Sequence, residues 1–132
     1  MNTLRAEITS VKVHGNLSLV ELHLEGTTLK SIVIETPATA SYLKKGNTIN
    51  VLFKETEVII GKGKGQPISL RNILDCTITN IEKGVLLSKL SLKFKGHSIA
   101  SIITTNAVEH LDLKKGEQIT AMIKTNEIML SD

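Results

Sequence analysis

Hydrophobic and polar residues alternate along most of this chain with a period of two, the signature of half-buried β-strands. Leu4, Ala6 and Ile8 alternate with polar neighbours, and the pattern then slips to Val11 and Val13, as a β-bulge would make it slip. After His14-Gly15-Asn16, Ser18, Val20, Leu22 and Leu24 share one face of a second strand. Glu25-Gly26-Thr27 is a turn signal, and Leu29 to Ile34 reads as a third strand. Thr36-Pro37 has the chemistry of an N-cap followed by proline at the first helical position, predicting a short helix through Leu43. Lys44-Lys45-Gly46 would end it. Ile49, Val51 and Phe53 then predict a fourth strand, and Val58 to Ile60 a brief fifth.

The same order returns in the second half. Sliding the sequence against itself by about seventy residues aligns Asn2 with Asn72, Leu4 with Leu74, Ile8-Thr9 with Ile78-Thr79 and Leu17-Ser18 with Leu87-Ser88. Gly26 meets Gly96, Ser31-Ile32 meets Ser101-Ile102, and Leu43-Lys44-Lys45-Gly46 meets Leu113-Lys114-Lys115-Gly116. Ile49, Lys54 and Glu57 meet Ile119, Lys124 and Glu127, all without a gap. This is a tandem duplication. The second copy predicts strands around Cys76, Ile78 and Ile81, around Leu90, Leu92 and Phe94, and from Ile99 to Ile103. A helix from Asn106 to Leu113 follows, then strands at Ile119, Ala121 and Ile123 and at Ile128 to Leu130.

Three strands, a short helix and two more strands is the order of an OB-type small barrel. The expected architecture is all-β: two tandem five-stranded OB-like barrels, each with one short helix. The first module is assigned to residues 1–61, a Gly/Lys linker to 62–68 and the second module to 69–132. A unit of about sixty residues buries little surface by itself, so further burial between copies and between chains is expected.

Composition narrows the picture. Hydrophobic residues make up 41% and charged residues 22% of the 132, typical of a folded chain. No uninterrupted apolar run approaches a membrane span, no export signal is visible, and the single cysteine, Cys76, predicts a cytoplasmic setting. A net charge of +3 and a pI near 9.0 favour anionic partners. Nucleic acid is one such partner, but Tyr42, Phe53 and Phe94 are the only aromatics, and the two Phe fit core positions.

Catalysis finds no support. His14, His23, His97 and His110 lack metal-type spacing, so no metal site or cofactor is expected. Cys76 shares a face with Ile78 and reads as a small buried hydrophobe without an activating base. Gly61-Lys62-Gly63-Lys64-Gly65 reads as a solvated linker rather than an anion loop, since its spacing matches no phosphate-binding pattern. The chain is not expected to be an enzyme.

Ser69-Leu70-Arg71-Asn72 is different. It resembles the Ser-Ala-Arg-Asn motif that opens the molybdenum–pterin-binding (Mop) domain of molbindins. Ile81-Glu82-Lys83-Gly84, Ile103-Thr104-Thr105, Leu113-Lys114-Lys115-Gly116 and Ile123-Lys124-Thr125 follow the same outline. The tandem arrangement is similar to that of di-Mop cytoplasmic molybdate-binding proteins. The resemblance implies a homotrimer holding molybdate or tungstate between subunits, with assembly and binding linked. It implies that Ser69, Leu70 through its N–H, and Arg71 come from one module and Lys124, Thr125 and Thr104 from a neighbour. Asn72, Thr105 and Asn106, the expected helix cap, complete the candidate set, with Lys54 as a possible partner from the first copy.

The chemistry agrees: a tetrahedral dianion offers only acceptors, so its site should supply donors and exclude carboxylates. Taken singly, Arg71 and Lys124 could be ordinary solvated charges, and Ser69 plain turn chemistry. The first copy departs from the pattern, with Ile34 in place of Thr104 and Glu55 in place of Thr125. The alternatives are an OB-fold nucleic-acid binder and an oxyanion-sensing module acting through protein contacts.

Overall fold

The computed structural model describes every residue except Lys64 and Gln66. The first copy forms β1 (Asn2–His14), β2 (Leu17–Leu24), β3 (Thr27–Val33), β4 (Thr48–Phe53) and β5 (Ile59–Gly61). The second forms β6 (Asn72–Lys83), β7 (Leu87–Phe94), β8 (His97–Thr104), helix α1 (Thr105–His110), β9 (Gln118–Ile123) and β10 (Met129–Ser131). A 3-10 turn precedes the last strand of each copy, at Glu55–Glu57 and Thr125–Glu127. No helix among the described residues is long and apolar enough to cross a membrane.

The alternation read in the sequence appears directly in burial: Leu4, Ala6 and Ile8 are buried while their neighbours are exposed. The slip after Ile8 is a bulge. Pairing with β2 jumps between Ile8 and Ser10, and Thr9 Oγ1 donates to the Glu21 carbonyl at 3.3 Å. The second copy repeats it between Ile78 and Asn80, with Thr79 Oγ1 donating to Ser91 at 3.1 Å. Both hairpins turn on two residues with positive φ, Glu25-Gly26 at 46° and 83° and Lys95-Gly96 at 46° and 84°. That geometry suits the twist of the flanking strands and puts glycine where a side chain would be strained.

The helices differ from expectation. In the second copy α1 is capped by Thr104, whose Oγ1 accepts from Ala107 N at 3.1 Å, rather than by Asn106. It ends at His110, and Asp112 adopts a φ of 50° before Leu113. In the first copy residues 36–43 form turns instead of a helix. Thr36 O accepts from Thr39 N at 2.9 Å and from Ala40 N at 2.8 Å, but Thr39 Oγ1 takes the Thr36 N–H at 2.9 Å. Hydroxyl residues offer the backbone such local partners and so compete with helix.

Two antiparallel five-stranded sheets result, in the orders β10-β4-β1-β2-β3 and β5-β9-β6-β7-β8. The short last strands are exchanged. β5 pairs with β9 of the second copy, Ile60 opposite Ala121, and β10 pairs with β4 of the first, Leu130 opposite Val51. A single buried cluster accordingly includes Leu4, Leu22 and Phe53 together with Leu74, Leu92 and Phe94.

The seam between the copies is tied twice over. The buried Asn72 amide donates to Lys30 O at 2.9 Å and accepts from Lys30 N at 2.7 Å. Asn2 does the same to Ala100, at 2.8 Å in both directions. Each asparagine thereby satisfies the free backbone edge of the other copy's third strand. Ser31 Oγ donates to Ile128 O at 2.8 Å and Ser101 Oγ to Val58 O at 2.9 Å. The Asn and Ser pairs that recur in the duplication hold the two copies together.

Candidate functional site

The β6–β9 ladder ends with Asn72 opposite Ile123. Arg71, just before Asn72, and Lys124, just after Ile123, flank that end, and both are exposed. One guanidinium N–H of Arg71 donates to Ile68 O at 2.9 Å, and among the described residues no partner takes the others of its five donors. Leu70 is buried and pins the arm, while Ser69 stays exposed beside it. Lys124 has extended backbone (φ −68°, ψ 147°) and leads into the 3-10 turn, with its carbonyl accepting from Glu127 N at 3.1 Å. Thr125, partly buried, opens that turn.

The remaining candidates lie elsewhere. Thr104, Thr105 and Asn106 sit where β8 runs into α1. β8 packs against the Lys54–Glu57 side, through Ser101 and Val58, and not against the Lys124 turn, which adjoins β3. Thr104 keeps an exposed hydroxyl whose oxygen caps α1, and Asn106 is exposed. Thr105 is buried, its hydroxyl 2.8 Å from Ser88 Oγ and donating to Gly84 O at 2.8 Å. The Asn72 amide is likewise committed, to Lys30. One chain therefore presents two separate groups of donors: Ser69, Arg71, Lys124 and Thr125 at one place, Thr104 and Asn106 at another.

Lys54 repeats the backbone of Lys124 (φ −74°, ψ 147°) but leads into a turn opened by Glu55. The Glu55 carboxylate lies 2.8 Å from the Met1 amino group, and that hydrogen bond holds it below the usual carboxylate range. Glu57 moves the other way. Burial, and then its hydrogen bond with Glu127, push it above the usual range.

Other features offer less. Two clefts border the 62–68 stretch, one lined by Gly63, Asp75, Cys76, Thr77, Gln118 and Thr120 among others, the second including Lys62, Ile68, Asp75 and Met122. Both carry the Asp75 carboxylate, and neither takes a wall from Arg71, Lys124 or Thr125. Lys62 is ion-paired with Glu117 at 2.8 Å, while Lys64 of the same stretch lies outside the described residues. Burial pushes the Cys76 thiol up to about 12, which leaves it protonated and unreactive near neutrality. Among the described residues, no group of three or more His, Cys, Asp or Glu is placed to hold a metal ion.

Two OB-like sheets in tandem, with a Ser-x-Arg arm at one ladder end, define a tandem small-barrel protein, and residues 68–130 match the TOBE domain. Over 64 residues the chain is 38% identical to molybdenum-pterin-binding protein 1 of Clostridium pasteurianum, covering 48% of this chain and 94% of that protein. The chain belongs to the molybdenum–pterin-binding (Mop) family. Its whole length resembles the cytoplasmic molybdate-binding protein ModG, solved with molybdate bound: the TM-score is 0.91 at 28% identity, covering 98% of this chain and 94% of ModG. A molybdenum import ATP-binding protein, ModC of Rhizobium johnstonii, is 32% identical over 106 residues, 78% of this chain but only 29% of ModC.

Proposed function

We propose that this chain binds molybdate or tungstate reversibly, through hydrogen bonds and charge, as a store or buffer in the cytoplasm. The observation that carries the reading is the flanking of one ladder end by Arg71 and Lys124, with the Ser69 and Thr125 hydroxyls beside them. Two cations and two hydroxyls match a dianion that can only accept. The names of the relatives supply the ligand: ModG is a molybdate-binding protein, and the Clostridium protein is a molybdenum-pterin-binding one.

The second donor group, Thr104 and Asn106, belongs to a position where another copy of the chain completes the pocket. Val85, Leu86 and Ile34 are 93%, 79% and 75% exposed, which favours burial against further copies in a homotrimer. Nucleic acid is disfavoured, since Phe53 and Phe94 are buried and Tyr42 half-buried, leaving no stacking platform.

Calorimetry with molybdate, tungstate and sulfate tests the reading, with native mass spectrometry to give the assembly. Arg71→Ala is expected to weaken oxyanion binding at least tenfold, about 1.5–3 kcal/mol for a lost charged hydrogen bond. An unchanged affinity sinks the site.

The ModC likeness favours a second reading, in which the same oxyanion site regulates a protein partner. Capture of a partner that depends on molybdate separates it from storage.

A further inference from the structure

A duplicated module suggests two oxyanion positions per chain, one for each copy. The turn's cation recurs, as Lys54 for Lys124, but the arginine and the hydroxyls do not. At the position of Arg71 the first copy has Met1. Thr104, Thr105 and Thr125 have Ile34, Glu35 and Glu55 as counterparts: one hydroxyl has become an alkyl chain and two have become carboxylates.

The structure shows what those carboxylates do instead. Glu35 Oε1 accepts from the Tyr42 hydroxyl at 3.0 Å. Ser18, the counterpart of Ser88, lacks the hydroxyl partner that Thr105 gives Ser88, and its buried Oγ has no hydrogen-bond partner among the described residues. Glu55 opens the turn after Lys54 and carries a negative charge that the Met1 amino group stabilises. A dianion brought beside either carboxylate meets like charge, and at Glu55 the second copy has the Thr125 hydroxyl instead.

Resting on the oxyanion reading above, we infer that each chain supplies one complete donor set, that of the second copy, and that Glu35 and Glu55 close the first copy's counterpart to anions. However the chains assemble, the number of complete sets then equals the number of chains.

Native mass spectrometry and calorimetry on the intact oligomer, with molybdate as probe, test this. The wild type is expected to take up one molybdate per chain, and Arg71→Ala to bind it at least tenfold more weakly. Thr125→Glu, which places the first copy's carboxylate in the second copy's turn, should lower affinity at least tenfold. Thr125→Gln, of the same size as glutamate and without charge, also loses the hydroxyl and should weaken binding, but less than Thr125→Glu does, with both variants checked for an unchanged far-UV spectrum. Two molybdates per chain in the wild type, or equal losses in Thr125→Glu and Thr125→Gln, would overturn the inference. A wild type that ignores both molybdate and tungstate would instead sink the proposed function, and the inference would fall with it.

Discussion

Asn72 reads, from the chain alone, as a member of the oxyanion set, and the structure gives its amide a second occupation. It stands in the arm that resembles an oxyanion motif, yet both of its amide atoms are spent on the backbone of Lys30. Its recurrence as Asn2 agrees with that work, since Asn2 makes the same pair of bonds to the backbone of Ala100. Asn72→Ala should therefore cost about 2–4 kcal/mol of stability in urea unfolding, since it strands a donor and an acceptor at a strand edge. Asn2→Ala should behave alike. Cys76 was legible without the structure, because it shares the face of Ile78, and it is buried. With its thiol raised to about 12, it should resist alkylation at pH 8 in the native chain and react on denaturation.

Among the elements, the long strands and both bulges were readable because alternation and its slip are local properties of the chain. The first-copy helix was misread. Thr36-Pro37 has helix-start chemistry, but Thr39 offers a hydroxyl to the Thr36 N–H and a turn forms instead. Val58 to Ile60 and Ile128 to Leu130 were recognisable as strands, though a three-residue apolar run carries no address for the sheet it joins. The two 3-10 turns bring Glu57 to Glu127, and burial first, then this contact, sets a pH dependence. Glu57 holds its proton more tightly folded than unfolded, so the folded state binds more protons above the ordinary value of 4.5. Stability from this group therefore falls as pH rises from there through the raised value. Glu57→Gln should remove that component. The melting temperature of the variant relative to wild type should rise with pH across this window, and a constant difference would count against a raised Glu57 carboxyl.

At the scale of the whole molecule, the duplication was legible and the interlocking was not, since sequence self-similarity says nothing about which copy receives a strand. The candidate site was visible as a set of residue types, but its division into two groups depends on β8 packing against the first copy's turn and β3 against the second's. A proteolytic cut within residues 62–68 should leave the two pieces together in size-exclusion chromatography under native conditions, because β5 and β10 each remain paired in the opposite sheet. Separation into two half-size species would contradict the exchange.

Each copy has a strand to give away and a gap to fill. Made as separate chains, such units would find each other only as fast and as often as their concentration allowed. Tethering them turns that encounter into an event inside one molecule, with an effective concentration on the order of millimolar for a short flexible link. Dilution then cannot unmake the pairing, and the chain can be scarce in the cell without losing its fold.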